Sequence, residues 1–330
     1  MNIRTSRLGW RVVIISLLLG LGAQAPAMRA RSGAPFLAGK RVLWLGDSIT
    51  QQGDYITFAE YYLDTIYPEA TFDFISIGLA SETASCLSEK AHPFPRPCVQ
   101  KRLQRALALV KPDVVVACYG MNDGIYHPQS AERMAAFRRG IENLTKRASA
   151  AGAQVVLLTP PPFDRLPVKR LAKLESADFS YLTPYENYDS VLGEYARWEM
   201  RLSGRKAQVI DLHTPMADYI GQRRKADAGF SFTQDGIHPD LAGHLLIARV
   251  ILKGLGEVAP MGDLDQEVER ISADPLYGMV KREREQRSAG WLDYVGYTRE
   301  RTVKAESVEA VERSALEMQS RIDEVRRGRR

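Results

Sequence analysis

The sequence predicts an α/β fold in which a mostly parallel sheet is covered by helices on both faces. Short runs of β-branched and apolar residues alternate with longer segments of helical period along most of the chain. This alternation is typical of parallel strands joined by crossover helices. Hydrophobic residues make up 45% of the 330-residue chain and charged residues 26%, a composition that excludes disorder and favours a globular protein. We therefore expect a three-layer α/β/α sandwich with a five-stranded sheet.

Five strands and five helices are predicted within residues 40–258, which we interpret as one catalytic domain. Pro112 and Gly152 stand just before the third and fourth strands, where the preceding helices should stop. The strands are expected at Arg41–Leu45, Phe72–Ile77, Val114–Tyr119, Gln154–Leu158 and Gln208–Leu212, and the helices at Phe58–Tyr67, Val99–Val110, Ser130–Ala151, Tyr185–Leu202 and Leu241–Leu255.

The two ends of the chain differ from this domain. Three arginines within the first eleven residues precede an apolar run and a cluster of small residues, which predicts a signal peptide over 1–27, with a retained membrane anchor as the alternative. A linker is expected over 28–39. Residues 259–330 are rich in Glu, Arg and Lys and predict amphipathic, solvent-facing helices that either pack across the domain or form an oligomer contact. We expect an exported protein, periplasmic or secreted, without a membrane span after signal cleavage.

Charge and cysteine usage exclude other classes of protein. The net charge is +5, but Lys and Arg are interspersed with Asp and Glu, and no nucleic-acid-binding motif is present, so we expect no nucleic-acid partner. Cys86, Cys98 and Cys118 show no metal-ligand spacing, so no zinc site is expected. A Cys86–Cys98 disulfide is one option for an exported protein, and Cys118 should be a buried thiol.

Polar residues follow the first three predicted strands, at the sheet edge where parallel α/β folds bind ligands. Ser48 follows the first strand, in Gly46-Asp47-Ser48-Ile49-Thr50. It is either a nucleophile, if a base lies within reach, or a helix N-cap. Gly78 follows the second strand and Asn122 the third. Each is either an oxyanion donor or a residue needed only for turn geometry.

The motif Asp235-Gly236-Ile237-His238 lies immediately before the last predicted helix. Its spacing allows a short loop to fold Asp235 back onto the His238 ring, fixing the tautomer while the other ring nitrogen faces a serine. Together with Ser48, Gly78 and Asn122, this motif supplies a nucleophile, a base, an orienting carboxylate and two oxyanion donors.

These four motifs resemble the conserved blocks of the SGNH (GDSL-like) hydrolase family. The chain carries the first block as Gly46-Asp47-Ser48-Ile49, the second as Gly78, the third as Gly120-Met121-Asn122-Asp123 and the fifth as Asp235-Gly236-Ile237-His238. The resemblance implies a flavodoxin-like sheet and ester hydrolysis through an acyl-enzyme, with no metal and no cofactor. Ile49, where the family often has Leu, and Ser76, where it commonly has Asn, depart from the pattern without touching the catalytic groups.

Residue roles are also implied by the resemblance. Ser48 is carried over as the nucleophile, His238 as its base and Asp235 as the partner of that base. The backbone N–H groups of Ser48 and Gly78 and the side-chain amide of Asn122 are carried over as the oxyanion hole. Residues after Met261 lie outside the resemblance.

The long connection from Pro160 to Asn187 follows a strand on the same side of the sheet. It either forms a lid or substrate wall or packs only on itself. Its aromatic residues either stack on sugar faces or fill a small core of their own. His127 is a candidate substrate-binding residue. The alternative is that it lines the pocket without a specific role. The aromatic residues in question are Phe163, Phe179, Tyr181, Tyr185 and Tyr188.

The sequence therefore favours a serine esterase that removes acetyl groups from a carbohydrate or another polar ester. One alternative is a lysophospholipase or thioesterase, which needs a long apolar acyl channel. Another is a catalytically silent carbohydrate-binding or scaffold protein that uses the charged extension as its interaction surface. The expected partner is a small-molecule or carbohydrate ester, with self-association through the C-terminal helices as an option.

Overall fold

The computed structural model describes residues 34–176, 178–204 and 206–329. The predicted signal peptide over 1–27 and the first half of the predicted linker lie outside the described residues. The described end of that linker contacts the domain, because Leu37 is buried and the Phe36 N–H donates to Glu257 Oε1 at 2.9 Å. In the described part of the chain, none of the helices is both long enough and apolar enough to cross a bilayer.

Five parallel strands form the central sheet in the order β2-β1-β3-β4-β5. This is the flavodoxin-like order, and it confirms the predicted α/β fold. Val114–Cys118 is buried at all five positions because helices cover both faces of the sheet. The strands are β1 (Arg41–Gly46), β2 (Asp73–Ser76), β3 (Val114–Cys118), β4 (Gln154–Leu158) and β5 (Gln208–Ile210).

The helices of the domain follow the predicted order, and the last one begins at Leu241 as predicted, whereas the others begin at different residues. Gly53 adopts a left-handed conformation, with φ of 68°, and divides the segment after β1 into a five-residue helix and a longer one. The sequence pattern missed that short helix and the later helix α6. The helices are α1 (Ser48–Gln52), α2 (Asp54–Ile66), α3 (Leu103–Val110, after a 3₁₀ turn at Val99–Lys101), α4 (Ala131–Ala150), α5 (Tyr188–Met200), α6 (His213–Arg223) and α7 (Leu241–Gly254).

Beyond Met261 the chain forms α8 (Leu264–Ser272), α9 (Pro275–Val295), a hairpin of β6 (Tyr297–Arg299) and β7 (Arg301–Val303), and α10 (Glu309–Gly328). Helix α9 packs on α2 and β2, and α10 packs on α9. This is the first of the two predicted alternatives, packing across the domain. The expectation that these helices face solvent was wrong in part, because Arg284, Arg287 and Arg326 are buried.

Buried arginines of the extension bond directly to the sheet and to α2. Arg287 Nη2 donates to Asp73 Oδ1 at 2.7 Å, and Arg287 Nη1 donates to the backbone carbonyl of Phe74 at 3.2 Å. Its Nε donates to Glu312 of α10 at 2.8 Å. Arg284 Nε donates to Thr57 Oγ1 at 2.6 Å. The polar face of α9 is therefore an interior contact, satisfied by carboxylates and backbone carbonyls.

Replacing Arg287 with Ala should lower the free energy of unfolding by about 3–5 kcal/mol, since it leaves the buried Glu283 and the partly exposed Asp73 and Glu312 without their counter-charge. Urea unfolding followed by circular dichroism measures the change. The control is Arg282→Ala on the exposed side of the same helix, which should change the same quantity by less than about 0.5 kcal/mol. Equal stability of the two variants would contradict the prediction.

Candidate active site

Ser48 is the first residue of α1, directly beyond the carboxyl end of β1. Asp47 before it is the N-cap, since its Oδ1 accepts the Ile49 N–H at 3.0 Å. The alternative in which Ser48 caps the helix is therefore wrong. The Ser48 hydroxyl is hydrogen-bonded to His238 instead, with 2.7 Å between Oγ and Nε2.

His238 lies in the loop before α7, where a carboxylate holds its other ring nitrogen. Asp235 Oδ2 lies 2.6 Å from His238 Nδ1. Asp235 Oδ1 accepts the backbone N–H groups of Ile237 and His238, both at 2.9 Å. These bonds fold the loop back on itself, so that Asp235 orients the ring and Nε2 points to Ser48. The structure thus brings the three side chains into one hydrogen-bonded line.

The surroundings of His238 favour its protonated form. The hydrogen bond with Asp235 raises the pKa of His238 above its ordinary value of 6.5, although burial of the ring opposes this. Burial raises the pKa of Asp235, but the hydrogen bonds from His238 and Ile237 prevail and lower that pKa to about 2. Asp235 is therefore ionised at neutral pH and can stabilise an imidazolium ring beside it.

Gly78 follows β2 and lies against the first turn of α1. The N–H groups of its two neighbours, Ile77 and Leu79, donate to carbonyls of β1 at 3.0 and 2.9 Å. A Cβ on Gly78 would lie 2.4 Å from the backbone nitrogen of Gln51, so only glycine permits this approach. The departure at Ser76 gives a hydrogen bond in the same turn, from its hydroxyl to the carbonyl of Thr50 at 3.4 Å.

Asn122 follows β3, and its amide group is held by three partners. Its Oδ1 accepts from Arg96 Nη1 at 2.9 Å and from the Tyr126 hydroxyl at 3.0 Å. Its Nδ2 donates to the backbone carbonyl of Glu82 at 3.3 Å. Because Nδ2 carries two hydrogens, one N–H is not used by that bond and can donate to a ligand.

Arg96, which orients Asn122, is itself fixed by Glu89. Its Nε and Nη2 each donate to one carboxylate oxygen at 2.6 Å, and both side chains are 2% exposed. Burial raises the pKa of Glu89, but the bonds from Arg96 prevail and lower it below its ordinary value. Bidentate pairing of this kind fixes geometry as well as charge, so the Asn122 amide is held in one orientation.

Two buried carboxylates lie beside these residues. Burial raises the pKa of Asp47 to about 7. Burial also raises the pKa of Asp123, and hydrogen bonds from Ser85 and other backbone groups limit the rise to about 6. Asp123 accepts the N–H groups of Gly120 and Ser85 at 3.0 and 2.6 Å. It shapes the turn that carries Asn122.

The motifs that supply these residues match a known family. Residues 44–246 match the GDSL-like lipase/acylhydrolase family over more than half of the chain, and the match includes all four motifs. The chain belongs to the GDSL-like lipase/acylhydrolase family. This confirms the resemblance predicted from the sequence and the predicted class of enzyme, a carboxylic ester hydrolase. No curated protein matches the sequence.

The solved structures that are similar to this chain include an enzyme from a gut microbe and an esterase. A gut microbial diltiazem-metabolizing enzyme aligns with a TM-score of 0.55 and 22% identity, over 69% of this chain and 49% of its own. The chain thus spans about half the length of that enzyme. A mutant of the acetyl-xylooligosaccharide esterase Axe2 from Geobacillus stearothermophilus aligns with a TM-score of 0.51 and 18% identity, over 68% of this chain and 98% of its own. At these identities the similarity shows the shared α/β fold.

In this acylhydrolase a disulfide closes the loop between β2 and α3. Cys86 is bonded to Cys98, the pairing that the sequence left open, whereas Cys118 is a buried free thiol as predicted. The loop between the two bonded cysteines carries Glu89 and Arg96. We call residues 81–98 the disulfide loop. Its cross-link lies next to the ion pair that orients Asn122.

The connection over 160–187 borders the site. The N–H of Asp164 donates to the carbonyl of Gly236 in the histidine loop at 3.0 Å, and the N–H of Tyr185 donates to the carbonyl of Tyr126 beyond β3 at 2.9 Å. This connection is therefore hydrogen-bonded to two loops that carry site residues, instead of packing only on itself.

The aromatic residues in and beside this connection differ in exposure. Phe163 and Tyr188 belong to the core, with 4% and 0% exposure, whereas Tyr181 is 36% exposed. The ring of Phe179 lies 5.3 Å from that of His127. His127 thus contacts the connection, and its contact with a substrate stays a prediction.

The three remaining histidines contact neighbouring residues, and His92 Nδ1 lies 2.6 Å from the carbonyl oxygen of Phe94. His213 Nε2 lies 3.2 Å from Asp189 Oδ1, and His244 is buried and stacked on Tyr55. Within residues 34–176, 178–204 and 206–329, no three His, Cys, Asp or Glu side chains are grouped so that they could hold a metal ion.

The sequence did not reveal that Arg96, Glu89 and Tyr126 orient Asn122. Their contacts join the disulfide loop to the turn after β3, and no local spacing indicates such a contact. The sequence contains only a weak indication of this contact. An Arg and a Glu lie between two cysteines that can close a loop around them.

Replacing Gly78 with Ala should lower the free energy of unfolding by about 1–3 kcal/mol, because the new Cβ would push the backbone away from α1. The matched control is Gly221→Ala in α6, where nothing lies within 4 Å of the added carbon. That change should raise the same quantity by about 0.5–1 kcal/mol, since Ala is the better helix former. Urea unfolding of both variants measures the effect, and two changes of the same sign would contradict it.

Proposed function

We propose that this protein hydrolyses a carboxylic ester through a Ser-His-Asp triad, and that its substrate is an acetylated carbohydrate or another polar ester. The observation that carries the proposal is the line from Asp235 through His238 to Ser48, with distances of 2.6 and 2.7 Å. A serine hydroxyl is a poor nucleophile until a base removes its proton. Ser48 is the nucleophile, His238 the general base and Asp235 the orienting carboxylate.

Three donors are proposed to stabilise the negative charge on the substrate oxygen: the N–H groups of Ser48 and Gly78 and the amide of Asn122. Support comes from the bonds that hold Asn122. Its oxygen is occupied by Arg96 and Tyr126, so the N–H side of the amide is the side left for a ligand. Where such a donor has been removed from other enzymes, the barrier rose by about 2.7–4 kcal/mol.

The reaction takes place in two halves. Ser48 Oγ attacks the carbonyl carbon while its proton passes to His238 Nε2, which then protonates the leaving alcohol, leaving an acyl group on Ser48. A water molecule next gives its proton to His238 and attacks the acyl carbon. The carboxylic acid leaves as His238 returns the proton to Ser48. Asp235 stays ionised and balances the imidazolium charge in both halves.

The exposure of the site supports a polar, bulky alcohol component. The side chains of His238 and Asp235 are 40% and 51% exposed, so a sugar ring can approach the triad from solvent. His127 and the exposed ring of Tyr181 are proposed to contact it. The fold is shared with an esterase named for acetyl-xylooligosaccharides. Export of the protein is part of the proposal, and the Cys86–Cys98 disulfide supports it because such bonds persist in oxidising compartments.

Ser48→Ala should lower the hydrolysis of p-nitrophenyl acetate by more than about 1,000-fold, because the nucleophile is lost. Release of p-nitrophenol by the purified protein measures this. Ser149→Ala, on the exposed face of α4, is the control and should retain wild-type activity. The same assay with p-nitrophenyl esters of longer acyl chains tests which acyl group the protein prefers. A preference for long chains would favour a lipid hydrolase, and equal inactivity of folded wild type and variant would favour a binding protein.

The value of kcat/KM should rise with pH and reach half its plateau above pH 6.5, because only the neutral ring of His238 accepts a proton and its pKa is raised. Asp235→Asn should move this midpoint to lower pH, since the bond that raises the pKa is lost, and should lower kcat by about 10⁴-fold. The pH profile of p-nitrophenyl acetate hydrolysis measures both effects. Asp218→Asn, exposed on α6, is the control, and an unchanged midpoint in Asp235→Asn would oppose the assigned role.

A further inference from the structure

A cavity of about 390 Å³ lies between the disulfide loop and the hairpin β6–β7. Its lining comes from residues 79–105 of the domain and 295–304 of the extension, and includes neither Ser48 nor His238. Small-molecule sites measure about 300–1,000 Å³, and this cavity falls in that range. It is therefore a candidate binding site distinct from the proposed catalytic one.

Positive charge dominates the lining. The lining contains six Lys or Arg residues and two residues with a carboxylate. One of these carboxylates, Glu82, is already occupied, because Arg102 donates to both of its oxygens at 2.6 Å and the Tyr119 hydroxyl donates at 2.7 Å. The other, Glu300, lies exposed at the hairpin turn. The cavity therefore has a positive potential that favours an anion.

Three arginines of the lining keep a guanidinium nitrogen that is buried and has no hydrogen-bond partner in the described part of the chain. These atoms are Arg102 Nη1, Arg105 Nε and Arg299 Nε. Of the three side chains, that of Arg102 is buried, with 5% exposure. A buried donor without a partner is unfavourable, and this cost is removed when a ligand oxygen accepts from it.

Hydrogen bonds hold two of these arginines in place around the cavity, and the third lies over an aromatic ring. Arg102 Nη2 also donates to the carbonyl of Ile77 at 2.7 Å, and Arg105 Nη2 donates to the carbonyl of Tyr294 at 3.0 Å. The guanidinium of Arg299 lies 5.4 Å from the centre of the Phe94 ring. The unpartnered nitrogens therefore belong to side chains that are already oriented, which lowers the entropy cost of binding.

The rest of the lining is largely apolar. Leu79, Pro95, Pro97, Val295 and Val303 form much of the wall, together with the ring of Phe94. A bare inorganic ion would leave this wall without a contact. The combination favours a ligand in which an anionic group is joined to a ring or a short carbon skeleton.

We propose that this cavity binds a small organic anion, whose carboxylate or phosphate oxygens accept hydrogen bonds from Arg102, Arg105 and Arg299. Guanidinium groups remain charged at any physiological pH and match the geometry of both kinds of oxyanion. Sugar acids and sugar phosphates share this chemistry. The site does not depend on ester hydrolysis, and the proposal goes beyond the function proposed above.

Isothermal titration of the full chain with D-glucuronate, D-glucose 6-phosphate and neutral D-glucose tests the proposal. At least one of the two anions should bind, and glucose should not. Arg299→Gln and Arg105→Gln should each weaken the binding of that anion about tenfold, the loss expected for one charge-assisted hydrogen bond. The matched control is Arg301→Gln, which makes the same charge change on the same hairpin but lies outside the lining. It should leave the affinity unchanged.

The two anions identify the source of the ligand, since tighter binding of glucuronate indicates a sugar acid and tighter binding of the phosphate a phosphorylated sugar. Thermal unfolding without ligand shows whether each variant is folded. The proposal is overturned if neither anion binds at millimolar concentration, if glucose binds as well as they do, or if Arg301→Gln weakens binding as much as both cavity variants do. Esterase activity of the same samples reports separately on Ser48, so failure of one proposal leaves the other standing.

Discussion

The parallel register of β1 with its two neighbours is the constraint on which the site depends. Trp44 pairs with Ser76 of β2, and Gly46 pairs with Cys118 of β3. Because parallel strands end at the same edge, the residues that follow these pairs emerge side by side. Ser48, Gly78 and Asn122 all lie within four residues of a paired position. If one strand shifted by a single residue relative to its neighbour, its loop would move and the three residues would no longer lie together. The geometry of the site therefore depends on the pairing of the strands.

The extension after Met261 shows how a charged helix can belong to the interior. Its sequence indicated solvent-facing helices because residues 259–330 are rich in Glu, Arg and Lys. Yet carboxylates of the domain and of α10, together with backbone carbonyls at the edge strand β2, accept from its arginines. Edge strand β2 would otherwise expose apolar surface and unpaired backbone groups. Covering that edge with arginine bonds ties the extension to the strand that positions Gly78.

The parts of the molecule that could be predicted are those fixed by local sequence. The strands and the Asp235–His238 turn depend on residues only a few positions apart, and both patterns are visible without the fold. The sequence did not predict helix α6 or the hairpin β6–β7, because these polar segments bury few side chains and show little hydrophobic periodicity. The hydrogen bond between Arg96 and Asn122 could not be predicted for another reason. The two residues are 26 positions apart, and they meet only because the disulfide loop folds against the turn after β3.

The disulfide loop connects the two sites without making them one. The backbone carbonyl of Glu82 accepts a hydrogen bond from the Asn122 amide, and its carboxylate accepts one from Arg102. Glu82 therefore lies between the candidate active site and the cavity lined by arginines. Arg102 uses Nε and Nη2 for Glu82 and Ile77, and these bonds support the turn that carries Gly78. The nitrogen left for an anion is Nη1. An anion in the cavity can therefore bind without displacing the bonds that hold Gly78 and Asn122, because the two sites share a scaffold but no donor atom.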